Sequence, residues 1–206
     1  MIKLFREKRI NETYNLPVRN MVKSVNRIDE HRILNTDTDT LTDEIFKSFK
    51  RNHLEIDFSD REVNVKMVDL PAGYFPRSYD VRRGKTYPCA KANYTFTVKA
   101  GEMDLLAVQP NQNQFMANVD ASINGNNFTI GYQTHYGNIE LSEEIKKEIK
   151  NTMAKTIEQM ESTVIGINQD LDVYNSEMKR MIKENIEKRK VDIEKKNSQN
   201  DDLNDF

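Results

Sequence analysis

The sequence predicts an α+β fold: an antiparallel β-rich body of about six strands, short helices before it, and a long heptad-patterned helix after it. Three observations carry this expectation. Apolar residues recur at three- and four-residue spacing near the amino end, alternate with polar residues through the middle, and return to helical spacing in the last third. Proline and glycine punctuate the middle, whereas beyond Gly137 only Gly166 interrupts and no proline occurs. The 206 residues are 37% hydrophobic and 31% charged, a polar balance that calls for long solvated helix or flexible segment beside a modest core.

From Leu16 to Arg32, Met21, Val22, Val25 and Ile28 give one helix face an apolar stripe. The cluster Asn35-Thr36-Asp37-Thr38-Asp39-Thr40 favours loop or cap, because these side chains compete for backbone hydrogen bonds. Thr42, followed by Asp43 and Glu44, opens a short helix to about Lys50. Leu54, Ile56 and Phe58, the polar run Ser59-Asp60-Arg61-Glu62, then Val63, Val65 and Met67 read as a β-hairpin, with Asp69 to Tyr79 as loop. Ala92, Tyr94, Phe96 and Val98 alternate with Asn93, Thr95, Thr97 and Lys99, as a half-solvated strand requires. Gly101 to Asp104 is a turn, Leu105 to Val108 a short strand, and Pro110 to Gln114 a polar loop. Phe115, Ala117, Val119, Ala121 and Ile123 then form a strand that Asn124-Gly125 reverses into Phe128, Ile130 and Tyr132.

Ser142 can cap a helix with Glu143 and Glu144 in its first turn. Along it, Ile157, Met160, Val164, Ile167, Leu171, Tyr174, Met178 and Met181 repeat at alternating spacings of three and four, the heptad signature of a seam between helices. Asn185 takes the next seam position, either setting register or marking the seam's end. A single helix from Ser142 to Lys196 would extend on the order of 80 Å, so it either projects to pair with another chain or folds back near Gly166. The unbroken phase favours continuity. Four segments result: residues 1–38 helical, 39–140 β-rich, 141–196 long helix or helical hairpin, and 197–206 a disordered tail.

Signals for chemistry are sparse. A net charge of −2 gives no case for wholesale nucleic-acid binding, and no apolar run suggests a membrane span or secretory leader, so a cytoplasmic protein is expected. Cys89 is alone and reads as a small hydrophobe. His31, His53 and His135 lack metal-ligand spacing, and Gly84-Lys85-Thr86 lacks the glycine and helix that a phosphate loop needs. No cofactor or metal is expected. Gly101-Glu102-Met103-Asp104-Leu105-Leu106-Ala107 resembles the first half of the PD-(D/E)xK nuclease core. Glu102 and Asp104 are therefore the alternative catalytic pair, although Phe115 to Asp120 supplies neither the acid nor the lysine of the second half. The basic run Lys179, Arg180, Lys183, Lys188, Arg189, Lys190, Lys195, Lys196 is diluted by acids and has no base-stacking aromatic, so a solvated face ranks ahead of nucleic-acid contact.

Taken in order, Ile45-Phe46-Lys47-Ser48-Phe49, Leu54-Glu55-Ile56-Asp57-Phe58, Arg83-Gly84-Lys85-Thr86-Tyr87, Tyr94-Thr95-Phe96-Thr97-Val98, Gly101 to Leu106, Val173-Tyr174-Asn175-Ser176 and Ile186-Glu187-Lys188-Arg189-Lys190 resemble an uncharacterised bacterial module. That module stands at the amino end of defence-type proteins with nuclease-like or TIR effector domains. The resemblance covers about residues 41–195. It departs at Met116-Ala117-Asn118, where the module usually carries proline, and the module usually continues into an effector domain where this sequence stops. It implies a sensing or assembly role in prokaryotic antiphage defence. Together with the residue patterns it gives the expectation of a non-enzymatic interaction module, self-associating or holding a protein partner through its terminal helix.

Overall fold

A computed structural model describes the backbone of residues 1–204 and the side chains to Asn200. The chain is α+β, and its contacts divide it into two units: residues 1–8 with 53–167, and residues 9–52 with 168 onward. The sequence divisions at 38 and 140 do not coincide with these limits.

The first unit is built on a five-stranded antiparallel sheet. Its strands are β1 (Ile2–Lys3), β2 (Glu55–Pro71), β3 (Thr86–Ala100), β4 (Asp120–Asn124) and β5 (Asn127–Gln133), in the order β1-β4-β5-β3-β2. The amino end, read from sequence as part of a helical segment, instead adds an edge strand by pairing Ile2 with Ala121. Leu4 and Phe5 follow it into the core, where Phe5 meets Phe115 edge-on at 5.7 Å.

Strand β3 follows its alternation. Ala92, Tyr94, Phe96 and Val98 are buried on one face, and Phe96 stacks on Phe128 at 5.3 Å. The hairpin expected at residues 54–67 is a single strand. Between Asp57, opposite Thr97, and Arg61, opposite Phe96, the extra residues Phe58, Ser59 and Asp60 bulge out of register. Asp57 fixes that bulge by accepting from the Ser59 hydroxyl at 2.7 Å and the Asp60 N–H at 3.0 Å, bonds that hold its carboxyl below the usual range. An odd number of inserted residues reverses side-chain parity, so Ile56 before the bulge and Val63 after it face the same side. The strand also runs on to Pro71, because β3 is long enough to pair with it throughout.

Two other strand expectations change. Met103–Ala107 is a 3-10 turn that buries Leu105, Leu106 and Ala107 consecutively, and extended backbone begins only at Val108. Phe115 to Val119 is not strand, since Phe115 turns inward onto Phe5 and the Arg6 guanidinium bonds the Met116 carbonyl. The Asn124-Gly125 reversal does occur, with Asn124 paired to Asn127.

The second unit contains α1 (Asn15–Asn26), α2 (Glu30–Asn35) and α3 (Thr38–Phe46). The helix expected over Leu16–Arg32 is split because Asp29 caps α2 by accepting from Arg32 N–H at 3.1 Å. Asp37 caps α3 in the same way through Thr40 N–H at 2.9 Å, a bond that lowers the Asp37 carboxyl pKa, so α3 begins at Thr38 rather than Thr42.

Helix α4 (Glu143–Asn204) is continuous and contributes to both units. Its helical form persists through residues 197–204, where a disordered tail was expected; residues 205–206 of that tail lie outside the described residues. Gly166 is no hinge. A Cβ there would lie 2.6 Å from the Gln112 carbonyl oxygen, so the glycine lets the loop at Pro110–Asn113 lie against the helix, and the Thr163 hydroxyl bonds the Asn113 carbonyl at 3.0 Å.

The stripe expected as a seam between chains is covered by its own polypeptide. Met160, Val164, Ile167, Leu171, Tyr174 and Met178 are buried, and Ile157 is half-buried. In the second unit Tyr174, Met178, Ile182, Ile186 and Ile193 share one core with Met21, Val25, Ile33 and Leu41. Ile182 and Ile186 take the places expected for Met181 and Asn185, which are half-buried; Asn185 bonds back to the Met181 carbonyl at 2.8 Å. A helix packed on short helices rather than a supercoiled partner keeps nearly 3.6 residues per turn, and successive four-residue steps absorb the drift from a 3.5 repeat. Tyr14 stacks on Tyr174 at 4.5 Å, and burial, with the Asp170 carboxylate, holds its hydroxyl well above the usual tyrosine range.

Met178→Ala and Ile182→Ala are each expected to cost about 2–4 kcal/mol of stability. Urea denaturation at several protein concentrations should give one unchanging midpoint, whereas a seam shared between chains would make it concentration-dependent. Gly166→Ala should destabilise by about 1–3 kcal/mol through its backbone clash, reversing the gain of about 1 kcal/mol that alanine brings to an open helix; thermal melts followed by circular dichroism would show the sign.

Candidate functional site on the open face of the sheet

Alternation gives the sheet a second face, polar along its strands and bordered by Met1, Leu70, Tyr74 and Val119. Asn64 and Lys66 on β2, Lys91, Asn93 and Thr95 on β3, Thr129, Gly131 and Gln133 on β5, and Asp120 and Ser122 on β4 line an open groove of about 950 Å³ within the first unit. Register places Lys66 directly opposite Lys91, Asn64 opposite Asn93, and Lys91 opposite Gln133. Thr95 and Thr129 hydroxyls bond each other at 2.8 Å and stiffen the floor.

The lysine pair is the departure from ordinary sheet chemistry. Like charges directly opposite on neighbouring strands destabilise a sheet, whereas opposite charges or threonines stabilise it. Neither lysine forms an ion pair among the described residues. Gly131 lies beside one of them: a Cβ there would lie 2.1 Å from Lys91 Cε and 2.9 Å from its Nζ, so the flexible end of Lys91 rests over the β5 backbone, and a side chain at 131 would turn it aside. A glycine inside a strand weakens it and often marks such a close approach. The result is two ammonium groups among carboxamides, with the Asp120 carboxylate also on the lining, a surface whose lysines can bind carboxylates and the carbonyl groups of an extended chain.

The residues singled out from sequence lie elsewhere. Glu102 precedes the 3-10 turn rather than opening a strand, and Asp104 sits within the turn at 3.8 Å from Lys8 Nζ. Among the described residues no three His, Cys, Asp or Glu side chains converge in a way that could hold a metal ion. The basic run of α4 is engaged within the second unit: Lys179 with Asp43 at 2.7 Å, Lys183 with Asp39 at 2.8 Å, and Lys196 with Glu30 at 3.3 Å. Lys190 bonds the Thr36 carbonyl at the end of α2, and Arg189 the Val25 carbonyl at the end of α1, where a cation complements the helix dipole. Cys89 is buried, and burial raises its thiol pKa. No helix among the described residues is long and apolar enough to cross a membrane.

Sequence reading found the polar alternation at Asn93 to Lys99 but not the groove, because no local pattern pairs Lys66 with Lys91; that pairing depends on the register set beyond the Asp57 bulge. Comparison with protein-family models, curated proteins and solved structures finds no match to this chain.

Lys66→Thr should stabilise the protein by about 0.5 kcal/mol, by removing the like-charge pair and adding a β-branched residue. Denaturant midpoints at low salt would check this, and the gain should shrink as salt screens the pair.

Proposed function

We propose that the chain is a non-catalytic recognition module that docks an acidic, extended segment of a protein partner on the open face of the sheet. The observation that carries this reading is the Lys66 and Lys91 pair, held face to face in a carboxamide-lined groove. A folded protein gains nothing from that juxtaposition alone, and a bound carboxylate would relieve it. Strand β2 ends the sheet order, so its outer backbone groups have no sheet partner, and an extended peptide could add along it while Lys66 reads its charge. Among the described residues that line the groove the only aromatic is Tyr74, which favours a peptide over stacked nucleic-acid bases. The resemblance to amino-terminal modules of defence proteins supports a sensing role, and the solitary buried Cys89 thiol suits the reducing cytoplasm where such a module would act. Self-association through the α4 stripe is not part of this reading, since its own chain already covers that stripe.

Fluorescence anisotropy with a labelled glutamate-rich peptide, a glutamine-rich peptide of equal length and a single-stranded oligonucleotide tests the proposal. The acidic peptide should bind with an affinity that falls as salt rises, and Lys66→Glu combined with Lys91→Glu should weaken it at least tenfold, about 1.4 kcal/mol. Equal binding of the glutamine-rich peptide would sink the charge-reading mechanism, and preferential binding of the oligonucleotide would transfer the face to nucleic acid.

A further inference from the structure

A second cavity in the first unit, of about 390 Å³, has the opposite electrostatic character. It is lined by Tyr132, Gln133, Thr134, His135 and Tyr136 where the chain leaves β5, by Tyr79 from the connection between β2 and β3, and by Glu144, Ile145 and Glu148 of α4. We propose that this cavity binds an organic cation, an alkylammonium head group, between the tyrosine faces and the two carboxylates.

The walls are held in place independently of any ligand. The buried Thr134 hydroxyl donates to the Ala90 carbonyl at 2.6 Å and accepts from Tyr136 N–H at 3.2 Å, while Ala90 N–H donates to the Tyr136 carbonyl at 2.8 Å. The Tyr79 ring lies 5.5 Å from Phe75 and 5.4 Å from His135. His135 Nε2 is 3.1 Å from the Tyr74 carbonyl, which can only accept, so the ring is locked with that nitrogen protonated. On the opposite wall the Tyr132 hydroxyl donates to Glu148 Oε1 at 2.7 Å; burial first, and this bond second, raise the Tyr132 pKa.

Three features select a cation. Aromatic faces are electron-rich and attract a positive charge, most of all one whose hydration is weak. Among the described residues no lysine or arginine lines the cavity to compete for the carboxylates. Glu143 is engaged with Lys146 at 2.7 Å, and Glu144 and Glu148 supply the negative charge of the cavity. A hard metal ion would need more oxygen ligands than two carboxylates on one helix present. An alkylated ammonium needs only a soft, anionic box.

That chemistry is shared by a free quaternary amine and by an alkylated lysine side chain on a peptide, and the experiment separates them. Nuclear magnetic resonance titration of the full chain would use tetramethylammonium, choline, the neutral choline isostere 3,3-dimethylbutan-1-ol, and a peptide with or without trimethyl-lysine. Both simple cations should perturb resonances of Tyr79, Tyr132 and Tyr136, and choline should bind at least tenfold more tightly than its isostere. Glu148→Gln and the exposed-ring variant Tyr79→Leu should each weaken choline binding several-fold with an unchanged fold, as amide spectra would show. A trimethyl-lysine peptide that outbinds choline assigns the site to a modified protein, and the reverse assigns it to a small molecule. Equal binding of choline and the isostere, or no perturbation by either cation at tens of millimolar, overturns the proposal.

Discussion

A long amphipathic helix cannot leave its apolar stripe in water, and the organisation of this protein follows from how that stripe is covered. In the second unit the cover is α1 to α3, too short to be stable alone, whose Met21, Val25, Ile33 and Leu41 meet Tyr174, Met178, Ile182 and Ile186. Each such side chain contributes about 1.5–3 kcal/mol on burial. The exposed ion pairs alongside, such as Lys179 with Asp43 and Lys183 with Asp39, contribute at most about 1 kcal/mol each. Apolar burial therefore decides that the helices assemble, and the charges help to select their register. At the carboxyl ends of α1 and α2, Arg189 and Lys190 of α4 bond the Val25 and Thr36 carbonyls.

Within the sheet unit, folding and display are assigned to opposite faces. Phe96, Phe128, Ile130 and Ala121 fill the closed face, and the bulge at Phe58 to Asp60 preserves that division by restoring parity. Had β2 continued without inserted residues, Val63, Val65 and Met67 would have joined the polar face and Asn64 and Lys66 the core. The bulge is thus a condition for the groove, although it lies several residues away from it.

Period and capping made much of this legible in the sequence. The alternation of Ala92 to Lys99 needed no tertiary information, and the phase of Met160 to Met178 located a buried stripe. What local pattern does not encode is the identity of a neighbour. A heptad stripe looks the same whether another chain or the same chain covers it, which is why it reads as an intermolecular seam, and only the drift to Ile182 and Ile186 marks its cover by the same chain. Ser59-Asp60-Arg61-Glu62 likewise suits a turn or a bulge, and only the length of β3 decides between them. The Asp29 cap that splits α1 from α2 lies within a stretch whose apolar spacing to Ile28 reads as one helix. For the groove, the charged residues were visible singly, but their opposition exists only across strands.

Two locally unfavourable choices, Gly131 within β5 and the Lys66 and Lys91 pair, lie side by side in that groove. A glycine within strand β5 weakens it by roughly 0.5–1 kcal/mol relative to alanine, and a like-charge cross-strand pair weakens the sheet by a similar amount. Either alone could be an incidental surface choice. Here the two lie side by side, since the end of Lys91, the lysine that opposes Lys66, rests over the Gly131 backbone. Departures from locally favourable choices concentrate where a surface serves something other than folding. The closed face can be exchanged only at the expense of the core, but the open face carries no such duty, so its chemistry can answer to a partner.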